Sequence, residues 1–579
     1  MANAKPKIVV IGGGLAGLMA TIKLAEAGLN VELISIVPCK RSHSVCAQGG
    51  INASVNTKGE GDSPQIHFEE TILGGDFLAN QPMVQEMCKN APNFVYMLDR
   101  MGVQFNRTAE GLIDFRRFGG TRFHRTAFAG ATTGQQMLYA LDEQVRRWEV
   151  EGRVTRYEGW EFLSAVIDES GIARGVVAMN LSNFEIRAFK ADAAIFATGG
   201  TGMIYGRSTM SMICTGAAAA TLYMQGVSYA NGEFVQIHPT AIAGEDKNRL
   251  ISEAVRGEGG RLWTYKDGKR WYFLEEWYPK YKNLVPRDIA SRAIFKVVRE
   301  LKLGVEGQDI VYLDISHVDP KILKERLGGI IEIYEKFMNE DPSKVPMRVF
   351  PSVHYTMGGI YIDANHMSNV PGILAAGECD YQYHGANRLG ANSLLSCLQG
   401  GQAAAAKASE YAQGLEKGVE DLGSKWFDQQ TKKEQDRLDE ILRMQGKENP
   451  YQLWEEMGRV MTDHVTVVRH NKNLEKTDQI LQEMIQRWKQ VNVVDVSKWS
   501  NQTVVFTRQL QSMLQLARVI TLGALARNES RGAHYKPDFP DRDDANWLKT
   551  TVAKYTPGGP QLSYEPVDTS LLKPRERKY

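Results

Sequence analysis

The chain is poor in the features that mark several protein classes at sight. Its 579 residues hold no run of about 18 apolar residues, so no segment is expected to span a membrane. Cysteine is scarce: Cys39, Cys46, Cys88, Cys214, Cys379 and Cys397 are all there are. No two stand as CxxC, which excludes zinc-ribbon, thioredoxin-type, c-haem and ferredoxin-type spacings. So few scattered thiols suit a reducing compartment. The opening MANAKPK runs straight into IVVIGGG, without an apolar leader core, a twin-arginine signal or an Arg/Ser-rich transit segment. A cytoplasmic, bacterial-type protein is the expectation. Excess charge is absent too. Lys and Arg number 69 against 68 Asp and Glu, which leaves no general attraction to nucleic acid or an anionic membrane. Internal repeats and low-complexity tracts are missing. What is present is a globular composition, 43% hydrophobic and 24% charged, long enough for about four domain-equivalents. Glycine is in excess, 54 residues or about 9% where about 7% is usual.

The first 36 residues read as one βαβ unit. Lys7 to Ile11 (KIVVI) is an apolar run of the buried parallel-strand type. Gly12-x-Gly14-x-x-Gly17 follows at once, then Leu15, Leu18, Met19, Ile22 and Ala25 at helical spacing. Gly28 stops the helix, and Val31 to Ile36 is a second strand. In this context the glycines permit a tight turn and bring a pyrophosphate to free N–H groups at the helix N-terminus. The alternative is a glycine-rich turn that binds nothing. Ser35 stands where the ribose-binding acid is usual, and Glu32 is expected to point elsewhere; this weakens a nicotinamide reading more than an FAD reading.

Further glycine-rich strand ends occur at ADAAIFATGG (191–200) and PGILAAGE (371–378), the latter followed by HGANRLGANSLL (384–395). The fold class expected is α/β. A Rossmann-like FAD-binding domain in two parts (1–236 and 355–415) surrounds an inserted α+β capping domain (237–354). A helical domain (416–530) of long, charged, amphipathic helices comes next, expected to pack and do no chemistry. A polar C-terminal segment (531–579) is expected to lie on a surface.

At 41–50 the chain reads RSHSVCAQGG. With GGGLAGLMA, FGGTRFHRTAFAGATTGQQ, QIHPT, SEAVRGEGG, VPRDIASR, HYTMGG, AAGE, HGANRLGANSLL and NESRGAHYKPDFPDRDD in this order, the whole chain resembles the flavoprotein subunit of succinate dehydrogenase/fumarate reductase, respiratory complex II. RRFGGT, RTAFAGATTGQQ and HNKNLEKTD look most like the menaquinone-linked bacterial type. The resemblance implies a covalent bond from the His43 ring to the flavin 8α-methyl, which holds FAD and raises its potential. It implies FAD contacts at Gly12, Gly14, Leu15, Ala16, Gly17, Ser35, Ser42, Ser44, Gly49, Gly50, Asp76, Thr198, Gly199, Glu378, Arg388, Ser393 and Leu394. Gln135 replaces a His common in relatives. The substrate is a small dianion, succinate or fumarate. Its carboxylates fall to His238, His354 and Arg388, with Ser252 and Glu253 lining the site and Phe118 and Gln48 near the flavin. Arg suits this role through its bidentate fork.

The implied chemistry is hydride transfer from one methylene to flavin N5, while Arg287 takes the proton from the other. Glu253 and Arg256, three apart, can share a helix face and act as a proton relay. No metal is expected in this chain. With no cysteine set for a cluster, an iron–sulfur subunit and a membrane-anchor cytochrome b-type subunit must carry electrons to quinone. The chain would be peripheral on the cytoplasmic side of the cell membrane, held by those partners. Direction is left open by these residues. L-aspartate oxidase, of the same superfamily, is an alternative against which His43 argues. A non-catalytic nucleotide-binding subunit is another, against which the His238, His354, Arg287 and Arg388 set argues.

Overall fold

The computed structural model describes residues 6–578; the opening Met1–Lys5, expected to hold no leader, lies outside them. KIVVI forms the strand Lys7–Ile11, central in a five-stranded sheet. The order is Ile373–Ala375, Ala193–Phe196, Lys7–Ile11, Asn30–Ser35, Val154–Glu158, every pair parallel. A strand covered on both faces needs an unbroken apolar run, and Ile8 to Ile11 are all buried. The helix Leu15–Glu26 follows, pressed so close to the first strand that a Cβ on Gly17 would overlap Gly12 O. The helix Asn392–Gln413 lies against it, where a Cβ on Gly401 would overlap Ala16 O.

A six-stranded antiparallel sheet follows in space, ordered Arg249–Leu250, Val235–Ile242, Met347–Thr356, Val311–Asp314, Arg261–Lys266, Lys269–Trp271. Its core contains Leu262, Phe273, Val285, Ile294, Val311 and Tyr334. The strand Val235–Ile242 runs through residue 237 and Met347–Thr356 through residue 354, so no strand ends at those positions. They pair irregularly. Gln236 faces Tyr355 and Ile237 faces Val353, which leaves His354 as the extra residue of a bulge. Bulges turn a side chain out of the regular alternation.

The helical region consists of Lys425–Leu442, Pro450–His464, Asn471–Trp488 and Gln502–Ala526. The second of these was not singled out in the sequence; Asn449 caps it from the side chain and Pro450 starts it. The last differs from the expected charged amphipathic type, since it is buried nearly all round, with Leu510, Ser512, Met513, Leu514, Leu516 and Ala517 wholly so.

The expectation of a surface tail from 531 is corrected for 531–536 and 550–553, while 554–578 is intermediate or exposed. Arg531, His534 and Lys536 are fully buried, and the hairpin Lys549–Lys554/Gln561–Pro566 adds to a sheet with Tyr229–Ala230 and Gly359–Ile360. Polar residues are buried here because the charges meet. Arg527 binds Glu233 and Glu529 at 2.8 and 2.9 Å, and Arg531 binds Glu529 at 2.8 Å. Among the described residues no helix is long and apolar enough to cross a membrane.

Candidate active site

A cavity of about 550 Å³ extends from the carboxyl ends of the parallel strands to the six-stranded unit. That end of an open α/β sheet is where ligands bind, because the helix N-termini converge there. Gly12, Gly14, Leu15, Ala16, Ser35, Ser42, Ser44, Gly49 and Gly50 line one stretch, and Thr198, Gly199, Glu378, Ser393 and Leu394 another. His43, Gln48 and Phe118 line it too, as does a charged group of His238, Ser252, Glu253, Arg287, His354 and Arg388.

Three expected site residues do not line it. Gly17 sits behind the turn, where its missing Cβ lets helix meet strand. Asp76 is turned away at φ 52° and engages Arg542 (2.8 Å), the backbone N of Gly532 (2.9 Å) and Arg577 (3.2 Å). An acid paired with arginines on the 531–577 stretch is structural, whatever its spacing suggests. Arg256 stands behind Glu253, 3.3 Å away, and donates to the carbonyls of Asn283 and Val285. Gln135 is not on the wall either, and Glu32 turns toward the Tyr157 hydroxyl, 3.5 Å away.

The charged group is built by short connections. Arg287, at the start of the helix Arg287–Phe295, donates from Nε to Glu253 Oε2 at 2.8 Å and from Nη1 to Gln236 Oε1 at 2.9 Å. Glu253 Oε1 accepts from Gly119 N at 2.9 Å. Burial opposes this carboxylate's charge, but Arg287 and Arg256 outweigh it and hold its pKa below the ordinary value. Arg388 packs its guanidinium over the Tyr355 ring, 4.4 Å from the centroid. Burial, then the Arg287 charge, push it down to about 9.

His238 and His354 meet edge to face with centroids 4.9 Å apart. Burial first, and then neighbouring positive or imidazole groups, keep both well below the usual histidine range, hence neutral. His354 Nδ1 lies 2.7 Å from Thr209 Oγ1. Two residues on, Ser211 N donates to His43 Nδ1 at 3.1 Å. Burial, then Lys247 and Arg388, lower His43 to about 3.

The residues present fit a flavin dinucleotide. The Gly12–Gly14 turn offers a cradle at the N-terminus of Leu15–Glu26. Among the described residues, buried Ser42 Oγ, Gln48 Oε1, His238 Nε2 and Arg388 Nε have no hydrogen-bond partner, and all four residues line the cavity. Glu378 accepts from Thr356 N at 3.0 Å, and burial raises it to about 7. Residues not singled out in the sequence also contribute. Lys247 donates to Thr209 O at 3.1 Å. Glu161 enters the wall with Oε2 unpartnered and Oε1 bound by Gln509 at 2.7 Å. No local signal marks either, because the tertiary fold alone brings them to the cavity.

Two family models match the chain: an FAD binding domain over residues 7–394 and the fumarate reductase flavoprotein C-terminal family over 454–579. The succinate dehydrogenase flavoprotein subunit of Bacillus subtilis is 63% identical, covering 100% of this chain and 99% of its own. The fumarate reductase flavoprotein subunit of Haemophilus influenzae is 35% identical over 100% of this chain and 97% of its own. A solved quinol fumarate reductase of E. coli superposes with a TM-score of 0.93 at 34% identity, over 100% of this chain and 99% of that one. With a cavity shaped for a dinucleotide and these relatives, the chain belongs to the flavoprotein subunits of succinate dehydrogenase and fumarate reductase, FAD-binding oxidoreductases that act on a CH–CH bond.

Proposed function

We propose that this chain oxidises succinate to fumarate and delivers the electrons through an iron–sulfur subunit and a membrane anchor to a quinone, menaquinone by its resemblance. The carrying observation is the convergence of Arg388, His238 and His354 on one cavity end, facing the Arg287–Glu253 pair. Together these three offer a dicarboxylate one planar guanidinium fork and two imidazole N–H donors. Neutral imidazoles donate N–H without adding a charge to be desolvated. These donors are fixed before substrate arrives, so carboxylate charge that grows during reaction meets preorganised partners. Arg287 is assigned to hand its Nε proton to Glu253, 2.8 Å away, as it takes one from the second methylene, with Arg256 beside Glu253 as the next member of the relay. FAD, when bound, supplies the hydride acceptor.

His43 is assigned the covalent bond to the flavin 8α-carbon. Ser211 N donates to Nδ1, so the neutral ring carries its proton on Nε2, the nitrogen left for the cavity, and gives that proton up as the bond forms. Gly12, Gly14, Ser42, Ser44, Gly49, Gly50, Thr198, Gly199 and Glu378 are assigned to the cofactor, Ser252, Phe118 and Gln48 to the substrate end. The chain is placed on the cytoplasmic side of the membrane, held there by its partners.

Succinate-dependent dye reduction by the flavin-loaded protein, beside its Arg287→Ala variant, tests this reading. Turnover by the first and none by the second is expected, with yellow colour kept in the acid precipitate of both. A colourless precipitate overturns the covalent bond; near-normal turnover by the variant overturns the role of Arg287.

A further inference from the structure

Asp288 follows Arg287 in the first turn of the helix Arg287–Phe295 and is almost wholly buried. Its carboxylate faces Arg292 on its own helix at 3.2 Å and Asn387 Nδ2 at 3.1 Å. Arg577, nearly 300 residues away, holds it with two contacts, Nη1 to Oδ2 at 3.0 Å and Nη2 to Oδ1 at 3.3 Å. The same guanidinium reaches Asp76 Oδ2 at 3.2 Å. Asp76 belongs to the segment after the helix Pro64–Gly74, outside the six-stranded unit, and is itself tied to Arg542 and Gly532.

Arg577 thus bridges two buried carboxylates on separate parts of the chain. One of them is covalently adjacent to Arg287. The stretch before Arg577 is pinned as well: Gln81 exchanges two 2.8 Å bonds with the backbone N and O of Leu572. From Asp288 the connections return to the cavity. Asn387 binds Asp288 and accepts from Gln236 at 3.0 Å, and Gln236 accepts from Arg287 at 2.9 Å. Asn387 also precedes Arg388. These contacts and the Arg287–Asp288 peptide form a ring, and Arg577, outside the cavity, ties that ring to Asp76.

We propose that Arg577 is a positioning residue for Arg287: it fixes the first turn of the helix that carries Arg287 against the Asp76 segment. The inference rests on the role given to Arg287 above. Removing the fork leaves Asp76 and Asp288 as two buried like charges without their shared cation, and the turn has reason to move apart from Asp76. A displacement of about 1 Å at a reacting group can cost about a hundredfold in rate. Substrate affinity rests on other residues.

The test uses the flavin-loaded protein with Arg577→Ala and Arg577→Lys, measuring kcat and KM for succinate, covalent flavin content and melting temperature. The alanine variant is expected to lose about ten- to a hundredfold in kcat with KM and flavin content near wild type. Lysine, a point charge without the fork, is expected to recover part of that loss. Wild-type kcat in Arg577→Ala overturns the proposal. So does a loss of activity matched by an equal loss of flavin, which a purely structural role would give. Arg287→Ala separates the two levels. If that variant turns over normally, the underlying reading fails; if it is dead while Arg577→Ala is normal, only the positioning role fails.

Discussion

Glu253 accepts from Arg287 Nε at 2.8 Å, and its carboxylate is packed between two glycines. A Cβ on Gly119 would come within 2.5 Å of Oε1, and one on Gly390 within 2.6 Å of Oε2. The glycines are there because the ion pair leaves no room. The Gly390→Ala variant is therefore expected to push Glu253 off Arg287, or Phe118 off the wall, since the same Cβ lies 2.9 Å from Phe118 Cδ2. Succinate-dependent turnover should fall at least about tenfold, by the misplacement argument, while covalent flavin remains. Normal turnover with normal flavin content would show that the pair tolerates displacement.

Much of this site was legible in the sequence because its motifs are local. KIVVI with Gly12, Gly14 and Gly17 signals a strand, a turn and a helix whose positions follow from the chain itself. The substrate-end residues came through resemblance, not through spacing, since His238 and His354 meet only when two strands pair with a bulge at His354. Asp76 shows the limit of a motif. Its spacing says nothing of which way the side chain points, and the arginines that turn it outward lie beyond residue 530. Ser35 shows another. Its hydroxyl donates to Val37 O at 2.6 Å, while the acid on that wall, Glu161, comes from a strand in a different sheet.

Gly17 and Gly14 stand in one motif but face different neighbours. A Cβ on Gly17 would drive into the Gly12 carbonyl, which is backbone and cannot yield. A Cβ on Gly14 meets nothing nearer than Ser44 Oγ at 3.3 Å and enters the cavity instead. Gly17→Ala is expected to cost about 3 kcal/mol of stability, the upper part of the usual overpacking range, because backbone cannot yield. Gly14→Ala is expected to fold with a near-normal melting temperature and to lose flavin. Melting curves and flavin absorbance on both variants check this, and equal melting temperatures would contradict it.

His67 is fully buried, its Nε2 3.0 Å from Asn392 Oδ1. Burial first, then Arg125, depress its pKa to about 3, against a bond to Asn392 that raises it. The sign follows from proton binding. Below about pH 6.5 the unfolded chain takes a proton that the folded chain refuses until about pH 3, so folding weakens as pH falls through that window. The group contributes a loss of about 1.4 kcal/mol per pH unit well inside the window. His67→Gln removes the titration and can still donate an N–H toward Asn392. Unfolding followed at several values between pH 7 and 5 should show the wild type losing stability faster than the variant. Parallel curves would mean that His67 does not stay neutral in the fold.

Thr209 is the part of the substrate end that the family motifs least suggest. Its Oγ1 lies 2.7 Å from His354 Nδ1 and 3.1 Å from Val353 O, while its backbone N already donates to that same carbonyl at 3.0 Å. The single hydroxyl proton has two acceptors, Val353 O and Nδ1, and Val353 O keeps the backbone N–H when that proton goes to Nδ1. An imidazole that accepts at Nδ1 carries its own proton on Nε2, the tautomer that can donate to a carboxylate. Thr209→Val keeps the shape and deletes the donor. It leaves a buried nitrogen without its partner, at about 1–3 kcal/mol, or frees the ring to take the other tautomer. KM for succinate is expected to rise about tenfold, the lower part of that range, with a smaller change in kcat. Thr209→Ser, which restores the hydroxyl, should bring KM back toward wild type. A serine variant as impaired as the valine one would trace the effect to packing against Val353 and not to the proton on Nδ1.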